Sequence, residues 1–590
     1  MESSLSTQGG RAPWVEAGLL AILVSLVLVI GGEVVRTSYH GYLHTAIGEA
    51  VRAEGWSPEN PYHAGEALRY YTLYPWLGAW LGSWGMGAIT AFALLNVLAA
   101  LLFAPALDSL GRSLGLSWQA RRLAFVFAVL GFNGLGWLGW IFDPPEQSTV
   151  PVFAFQSLTF AFESWGWDAR LQAFLPKFLN VSSFALALAP TFWALAAAQR
   201  VLNGQAGRLG AWAVLLPAGL ALAINPLAGG FAGVCLLVWV APRLVTAPQS
   251  ERIAWLGAGL GALALALPFL WPVFSSGPTG ENLTGSVGFQ HEGWSNVLGP
   301  SGFMLIFALL AIRNWPTALR ARWGIAVGIA VLVAVYVRLP WGNEYKLARL
   351  AGVMLALPCA AWWAARLPWK PVMLAALAVW GPTTALVVKA YIDWGAERRP
   401  PALEAQANGA LRPRAELAAQ SLPQSVQVAL DAEAREAVLW MNLVHPGIAR
   451  AQGVVQGNTL APSLGHALFV DIPQIHNEGM PDLVQRLAWT VGANNLVRIF
   501  GPERGTRMLS LLGDARPSGL WEGRDSMHAA RALAEARAHL PERTWLVLTQ
   551  DEFPGVAQAL LEAGARQLAT ENGISLWRLE PLQANSPRQG

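Results

Sequence analysis

The stretch that decides the fold lies near the start of the chain and reads Ala17-Gly-Leu-Leu-Ala-Ile-Leu-Val-Ser-Leu-Val-Leu-Val-Ile-Gly-Gly-Glu33. No charged side chain interrupts it before Glu33. A membrane-spanning helix needs about 20 largely apolar residues, with roughly 17–25 observed, so we predict a first span over residues 16–32. One Arg precedes the run and no small-residue cleavage site clearly follows it. We therefore expect an uncleaved span rather than a signal peptide.

The same composition continues over the first two thirds of the chain. Hydrophobic residues make up 54% of the 590 residues and charged residues only 13%, against about 25% in soluble proteins. Residues 1–390 hold 38 of the 77 charged side chains, and the last 200 residues hold the other 39. This distribution excludes a wholly soluble enzyme, a disordered chain and a fibrous protein. The net charge of +3 is too small to indicate a nucleic-acid partner, and Cys235 and Cys359 lie in apolar runs, which leaves no disulfide framework or metal cluster.

Apolar runs predict about eleven spans in a polytopic α-helical membrane domain, at residues 16–32, 88–107, 123–142, 181–198, 211–225, 227–241, 253–273, 301–313, 324–338, 348–365 and 371–389. One set of connecting loops is short and rich in Arg, so the positive-inside rule places these loops and the N-terminus in the cytoplasm. The outer loops are then 33–87, 143–180, 274–300 and 338–347. Residues 71–84 are too short to cross and are expected along the outer interface. The break at 225–230 predicts a tight hairpin at the outer surface or a wet cavity at membrane depth.

Three regions follow from this layout. They are a membrane domain over 1–393, integral to the cytoplasmic membrane, a linker over 394–425, and an extracytoplasmic α/β domain over 426–590. In the last region, strand patterns at 436–443, 466–472 and 544–549 alternate with helical patterns at 480–492, 526–539 and 555–564, which predicts a mainly parallel sheet. We expect this domain to bind, cap or recruit rather than to catalyse.

Ionisable groups are concentrated in the first outer loop. Glu33, His40, Glu59 and Glu66 are candidate general bases, because a carboxylate or imidazole can take a proton from an attacking hydroxyl. His40 and His44 are four residues apart and would share one helical face. That spacing suits a metal, but the sequence shows no evident third ligand. The alternative is an interface helix with its His side chains turned to water, so we predict no metal or other cofactor.

Cations occur at the boundaries of the predicted spans. Lys346 and Arg349 follow Glu344 in the last outer loop, and Lys177 lies in Pro-Lys-Phe-Leu-Asn. Lysine as a point charge and arginine as a fork both suit a lipid phosphate, whereas the alternative is that they are snorkelling anchors. Other candidate contacts for a substrate or donor phosphate lie in the first loop: Arg36, His44, Arg69 and Tyr70.

Four stretches resemble the GT-C superfamily of polytopic glycosyltransferases, in its uncharacterised prokaryotic branch. They are Glu33-Val-Val-Arg-Thr-Ser-Tyr-His-Gly-Tyr-Leu-His44, Pro58-Glu-Asn-Pro-Tyr-His-Ala-Gly-Glu-Ala-Leu-Arg-Tyr-Tyr71, Lys177-Phe-Leu-Asn-Val-Ser-Ser183 and Gly342-Asn-Glu-Tyr-Lys346. The resemblance covers roughly residues 15–390 and implies transfer of a sugar from a polyprenyl-phosphate donor to a glycan, lipid or protein acceptor at the outer face. It also implies an acidic catalytic residue just after the first span. Most members have Asp there, but residues 33–87 contain none, and Glu33 is the nearest positional match.

The sequence therefore predicts an inverting-type, polyprenyl-phosphate-dependent glycosyl transfer in the cell envelope. Glu33 or His40 would act as base, and Lys346, Arg349 and Lys177 would neutralise the departing phosphate. One alternative is a transporter or flippase for lipid-linked glycans, which the scarcity of mid-membrane charge and the lack of a repeat disfavour. The other is a non-catalytic membrane scaffold whose outer domain docks a partner.

Overall fold

The computed structural model describes residues 12–37, 41–138, 173–275, 288–289, 294–339, 343–397, 422–441, 466–470, 481–497, 502–522, 525–551 and 553–582. The chain divides into two compact units. We call the first, residues 1–41, 71–271 and 287–399, the membrane unit. We call the second, residues 42–70, 272–286 and 400–590, the loop–tail unit, because it joins part of the first predicted outer loop to the C-terminal region.

The membrane unit is built from apolar helices. In chain order they are α1 (Ala12–Ile30), α2 (Gly32–Thr37), α4 (Leu73–Leu81), α5 (Ala88–Ser113), α6 (Trp118–Val126), α7 (Pro176–Leu179), α8 (Ser183–Leu202), α9 (Leu215–Ile224), α10 (Pro226–Thr246), α11 (Gln249–Ser275), α12 (Trp294–Ile312), α13 (Thr317–Tyr336), α14 (Tyr345–Ala364) and α15 (Trp369–Glu397), with α3 (Gly41–Glu54) assigned mostly to the other unit. Wider helical turns extend α4 over Gly82–Met86 and α6 over Phe127–Gly131, and a tight 3-10 turn, Arg208–Val214, precedes α9. Two short strands, β1 (Gly288–Phe289) and β2 (Val337–Arg338), pair antiparallel.

Among the described residues, eight helices are long and apolar enough to cross a membrane, and two shorter apolar helices cover Leu209–Ile224 and Val297–Ile312. Together with α6, they account for each of the eleven predicted spans. The predicted polytopic helical fold is thus confirmed, and the chain is an integral membrane protein. For the predicted span 123–142, the helix begins at Trp118 and its first stretch ends at Gly131, before the left-handed turn at Asn133 (φ 53°). Residues 137–138 are helical again, and residues 139–142 lie outside the described residues.

The segments at 71–84 and 225–230, predicted as an interface segment and a break in an apolar run, are both partly buried in the protein. Leu73 and Tyr74 of α4 are buried in the core, and Gly78 lies so close to the ring of Phe92 on α5 that a Cβ would collide with it. At 225–230 the chain does make a tight hairpin, in which Asn225 alone separates α9 from α10 and caps α10 by accepting a hydrogen bond from the Ala228 N–H. Asn225 is buried, so the surrounding protein covers this turn, and its depth in the membrane stays a prediction.

Two helices, α8 and α14, lie at the centre of the membrane unit. In each, 78% of the apolar window is buried inside the protein, against 33–39% for α10, α11, α13 and α15. Their small residues allow this, because Ala-rich faces let neighbouring helices approach closely. Most side chains on α14 are therefore fixed by packing, which matters because α14 carries the predicted binding residues Lys346 and Arg349, and Glu344 immediately precedes it.

The loop–tail unit is a mixed α/β domain. Its remaining elements are α16 (Gln424–Asp431), β3 (Val438–Trp440), α17 (Pro481–Val491), α18 (Pro502–Leu511), α19 (Ser526–His539), β4 (Trp545–Gln550), α20 (Pro554–Glu562), β5 (Arg566–Glu571) and β6 (Ile574–Leu579). Strand order in the described sheet is β3-β4-β6-β5. The α/β fold is confirmed, and predicted strands and helices fall on β3, β4, α17, α19 and α20. The segment predicted as a strand at 466–472 makes a single parallel bridge between Leu468 and Leu439, and residues 471–472 lie outside the described residues.

The prediction of a mainly parallel sheet is wrong. Among the described strands, β3 and β4 pair in parallel, whereas the longer β4–β6 and β5–β6 pairings are antiparallel. The β5–β6 hairpin turns at Asn572-Gly573, both with positive φ (51° and 77°). Asn-Gly is the preferred pair for a two-residue turn of this hand, so the dipeptide was a readable signal for the missed hairpin.

Candidate functional site

Three cations converge on one tyrosine in the membrane unit. Lys177 Nζ donates a hydrogen bond to Tyr345 Oη at 2.7 Å and lies 4.4 Å from the centre of its ring. The guanidinium carbon of Arg349 is 5.9 Å from the same ring centre, and Lys346 Nζ is 6.0 Å from it. Lys177 comes from α7, and the other residues come from the first turns of α14. We call Lys177, Tyr345, Lys346 and Arg349 the cation cluster.

The helical register of α14 explains this convergence. Tyr345 and Arg349 are four residues apart and so share a face, and Lys346 and Arg349 are three apart. Glu344 precedes the helix, where its carboxylate accepts the N–H of Leu339 at 3.0 Å. Arg349 is only 2% exposed and also lies 5.6 Å from the Phe132 ring. Like charges at these spacings repel, so an anion on the cluster would stabilise it.

The segment that carries Lys177 is held by buried polar contacts. The next polar residue, Asn180, accepts a hydrogen bond from Tyr391 Oη at 2.8 Å through its side chain and one from Asn96 at 3.1 Å through its backbone carbonyl. Ser183 then bonds both Tyr71 and Asn225, each at 2.8 Å. Helices α5 and α15, the turn between α9 and α10, and the chain just before α4 are therefore tied to this region. Lys177, itself only 6% exposed, has little freedom to move.

An apolar cavity of about 450 Å³ also lies in the membrane unit. Its wall includes Phe127, Leu135, Phe303, Ala376 and Trp380. Trp380 packs against the Gly131–Gly134 turn, and Phe132 in the same turn faces Arg349. One turn thus separates the apolar cavity from the cation cluster.

The other predicted residues of the membrane unit are less fully placed. Glu33 lies in α2, which begins two residues after α1 ends. Arg36 in the last turn of α2 is half-buried, and its Nε has no hydrogen-bond partner among the described residues. His40 lies outside the described residues. The structure therefore brings together Lys177, Glu344, Lys346 and Arg349 and leaves Glu33 and His40 as predictions.

The remaining predicted residues belong to the loop–tail unit. Both carboxylate oxygens of Glu59 accept hydrogen bonds from Arg543, at 2.9 and 3.0 Å, and one also accepts the Gly65 N–H at 2.5 Å. His44 is buried with its ring 5.7 Å from that of Tyr70, in an edge-on contact. Arg69 is half-exposed on the same segment. Glu59 is thus fully engaged in an ion pair and is poorly suited to act as a base.

A second charged cluster in the loop–tail unit was not identified from the sequence. Asp482 accepts from His63 at 2.7 Å and from His539 at 2.9 Å, and its other close neighbour is Arg486, whose Nε is 3.0 Å away. Burial opposes ionisation of Asp482, but the hydrogen bond from His63 and the charge of Arg486 outweigh it and bring its pKa to about 2. Burial lowers the pKa of His63 below its usual value, which keeps the imidazole neutral. His63 and Asp482 are 419 residues apart, so no local pattern could pair them.

Ligand atoms of His63, Glu66 and Asp482 lie within 4.8 Å of one another, a spacing that could hold a metal ion. Arg486, however, already faces Asp482 and is itself 1% exposed. A guanidinium in this position supplies the positive charge that a metal would bring. The geometry therefore fits an ion-pair cluster better than a metal centre.

Comparison with solved structures finds similar folds over most of the chain. It is similar to the arabinofuranosyltransferase AftD from Mycobacteria, with a TM-score of 0.53, 14% identity and a match over 96% of this chain and 40% of that one. ArnT from Cupriavidus metallidurans bound to undecaprenyl phosphate matches with a TM-score of 0.47 and 13% identity, over 95% of this chain and 98% of that one. The Archaeoglobus fulgidus oligosaccharyltransferase matches with a TM-score of 0.39 and 11% identity, over 91% and 68%. No protein-family model and no curated protein sequence matches. The AftD likeness confirms the predicted GT-C fold, and the chain spans about two fifths of AftD.

Proposed function

We propose that this GT-C-fold protein is a glycosyltransferase that moves a sugar from a polyprenyl-phosphate-linked donor to an acceptor hydroxyl. The observation that carries the proposal is the convergence of Lys177, Lys346 and Arg349 on Tyr345 within the membrane unit. A phosphate is the anion that such a mixed set of ammonium and guanidinium groups binds well. The scaffold alternative gives no reason for this convergence. A flippase for lipid-linked glycans would also bind phosphate, and the scarcity of charge in the predicted spans disfavours it.

The proposed reaction breaks the bond between the anomeric carbon and the phosphate oxygen of the donor. The acceptor oxygen forms the new bond to that carbon, and polyprenyl phosphate leaves with the electron pair. The three cations stabilise the negative charge that grows on the departing phosphate. Prearranged charges of this kind supply a large part of catalysis, because they need no reorganisation during the reaction. The rigid attachment of Lys177 through Asn180 serves this requirement.

The base that takes the acceptor proton is Glu33 or His40. Both follow α1 closely in the chain, whereas Glu59 is occupied by Arg543. Glu66 belongs with His63 and Asp482 in the second charged cluster. The proposal therefore keeps two of the four predicted acids and bases, and no cofactor takes part in it.

The apolar cavity accommodates part of the prenyl chain of the donor. It lies among membrane helices, and the Gly131–Leu135 turn connects its wall to Phe132 and thus to Arg349. A chain in the cavity and a phosphate on the cation cluster would then belong to one lipid. We place the reaction at the outer face of the cytoplasmic membrane, with the N-terminus inside, the C-terminal domain outside, and a glycan, lipid or protein as acceptor.

Native mass spectrometry of the purified protein tests the binding step. Undecaprenyl phosphate is compared with undecaprenol, which has the same chain and no phosphate. We expect the phosphate to bind roughly ten- to a hundredfold more tightly, since a hydrogen bond to a charged group contributes about 1.5–3 kcal/mol. Lys346→Ala should remove most of this preference. Equal binding of the two lipids by the wild-type protein would refute the proposal.

A further inference from the structure

We call residues 400–590 of the loop–tail unit the tail domain. Residues 58–68 of the first predicted outer loop pack into this domain. The Ala64 N–H donates to the Leu468 carbonyl at 2.9 Å, and the Leu468 N–H donates to the Pro61 carbonyl at 3.0 Å. Leu468 in turn bridges to β3. Residues 58–68 thus lie beside the chain at Leu468, which is itself the neighbour of β3. Ala64 is completely buried in the same core as Trp440 and Trp545. We call residues 58–68 the docked segment.

Side chains of the tail domain hold the docked segment at both ends. Arg543, two residues before β4 begins, forms a bidentate ion pair with Glu59. At the other end, Arg486 donates to the Ala64 carbonyl at 2.6 Å and to the Phe469 carbonyl at 3.0 Å, which ties the segment to its neighbour in the sheet. Asp482 holds His63.

Each of these charged side chains of the tail domain therefore has a partner in the docked segment: Glu59 for Arg543, the Ala64 carbonyl for Arg486, and His63 for Asp482. Arg486 is 1% exposed on the side chain and Arg543 is 24% exposed, so these contacts are shielded from water much better than an ordinary surface pair. Two-bonded Arg–carboxylate pairs are among the geometrically most specific ion pairs. Removing one partner of a buried pair is costly, because the other charge stays buried without compensation.

We propose that Asp482, Arg486 and Arg543 are positioning residues that fix the first outer loop for the transfer reaction. The docked segment lies in the chain between the Glu33–His40 stretch and the start of α4, so fixing it restricts where the proposed base can lie. The tail domain is then a required part of the catalytic unit rather than a separate recruiting module. This inference rests on the proposed function, but the docking itself does not.

The test uses the full-length protein in lipid nanodiscs and two separate measurements. Hydrogen exchange reports the amides of residues 60–68, and transfer assays report kcat and the donor KM. The variants are Asp482→Asn, Arg543→Ala and the conservative Arg543→Lys. Arg531→Ala is the matched control, because Arg531 forms an exposed ion pair with Glu535 on α19 of the same domain. Within the described part of the chain, Arg531 has no ion pair with the docked segment.

For Asp482→Asn and Arg543→Ala, we expect exchange at 60–68 to accelerate by about tenfold or more, since each loses hydrogen bonds between charged groups. Exchange in β4 should stay unchanged, which shows that the domain is still folded. The kcat should fall by a similar factor with the donor KM unchanged, because the proposed base lies in the same predicted loop as the docked segment, whereas the cation cluster comes from α7 and α14. Arg543→Lys should recover part of the kcat, and the control should behave as wild type.

Two results would overturn the inference. If exchange at 60–68 stays at the wild-type rate in both variants, these residues do not hold the segment. If exchange accelerates while kcat remains unchanged, the docking is real but does not position the reaction. Absence of any transfer by the wild-type protein would count against the proposed function instead, and the exchange result would still decide the docking.

Discussion

The four lysines of this chain allow a direct test of the donor site. Only Lys177, Lys346, Lys370 and Lys389 occur in 590 residues. The first two belong to the cation cluster, and the last two lie on α15, where Lys370 is exposed and Lys389 pairs with Asp393 one turn away. Each is changed to Ala in turn. We expect the rate of sugar transfer to fall when Lys177 or Lys346 is changed and to stay unchanged when Lys370 or Lys389 is changed.

The size of the effect follows from the geometry. Lys177 is 6% exposed and donates to Tyr345, so its ammonium is shielded from water and acts at short range. Removal of one hydrogen bond to a charged phosphate costs about 1.5–3 kcal/mol, which is roughly a ten- to hundredfold loss in kcat/KM. Lys346 is half-buried and should give the lower part of this range. The α15 lysines should stay within about twofold, because single surface charges contribute at most about 1 kcal/mol.

The assay measures transfer of radiolabelled sugar from polyprenyl-phosphate donors in proteoliposomes. Tryptophan fluorescence and gel filtration confirm that each variant is folded. Arg349→Lys is a useful companion, since it keeps the charge and loses the fork geometry. Full activity in both Lys177→Ala and Lys346→Ala would refute the assignment of the cation cluster. Equal losses in all four variants would show that the effect is a general one on the membrane protein.

Three further predictions follow. The loop–tail unit should lose stability as pH falls below about 6.5. His63 is protonated readily in the unfolded state, whereas burial lowers its pKa in the folded state. The contribution of Asp482 to folding stability is present above its ordinary pKa of 3.8 and is lost as pH falls through about 2. Thermal melting of His63→Gln should show a flatter dependence between pH 7.5 and 5.5, and an unchanged slope would contradict the argument. Gly573→Val should destabilise the β5–β6 hairpin by about 1–2 kcal/mol, because Gly573 has φ 77° and a left-handed backbone penalises a Cβ; an unchanged melting temperature would disprove this. Ala376→Trp should fill the apolar cavity and weaken undecaprenyl phosphate several-fold while sparing a short-chain geranyl phosphate, and equal effects on both lipids would remove the prenyl chain from the cavity.

The membrane fold could be predicted almost completely, because apolar length is a local property of the sequence. Within the described residues, each of the eleven runs contains a helix, and the differences concern where helices begin, such as Trp118 for the run predicted from residue 123. The tail domain was predicted less well, since the pairing direction of strands depends on distant partners. The hairpin at Asn572-Gly573 was missed even though its turn chemistry is local and readable.

The candidate site divides in the same way. Lys346 and Arg349 share a helix with Tyr345, so their proximity follows from helical spacing. Lys177 reaches Tyr345 from 168 residues away, and only its position at a predicted outer boundary indicated that it belonged with them. His63 and Asp482 carry no comparable signal, because their pairing depends on how the first loop joins the tail domain.

The fate of the predicted acids is the most informative difference. The sequence offers Glu33, Glu59 and Glu66 as equivalent carboxylates in one loop. In the structure Glu59 is bound by Arg543, and Glu66 lies beside His63 and Asp482. Two of the three carboxylates thus have an architectural role that requires the tail domain. The loop is dense in charge partly because it must dock, and a search for its catalytic base should therefore concentrate on the end nearest α1, at Glu33 and His40.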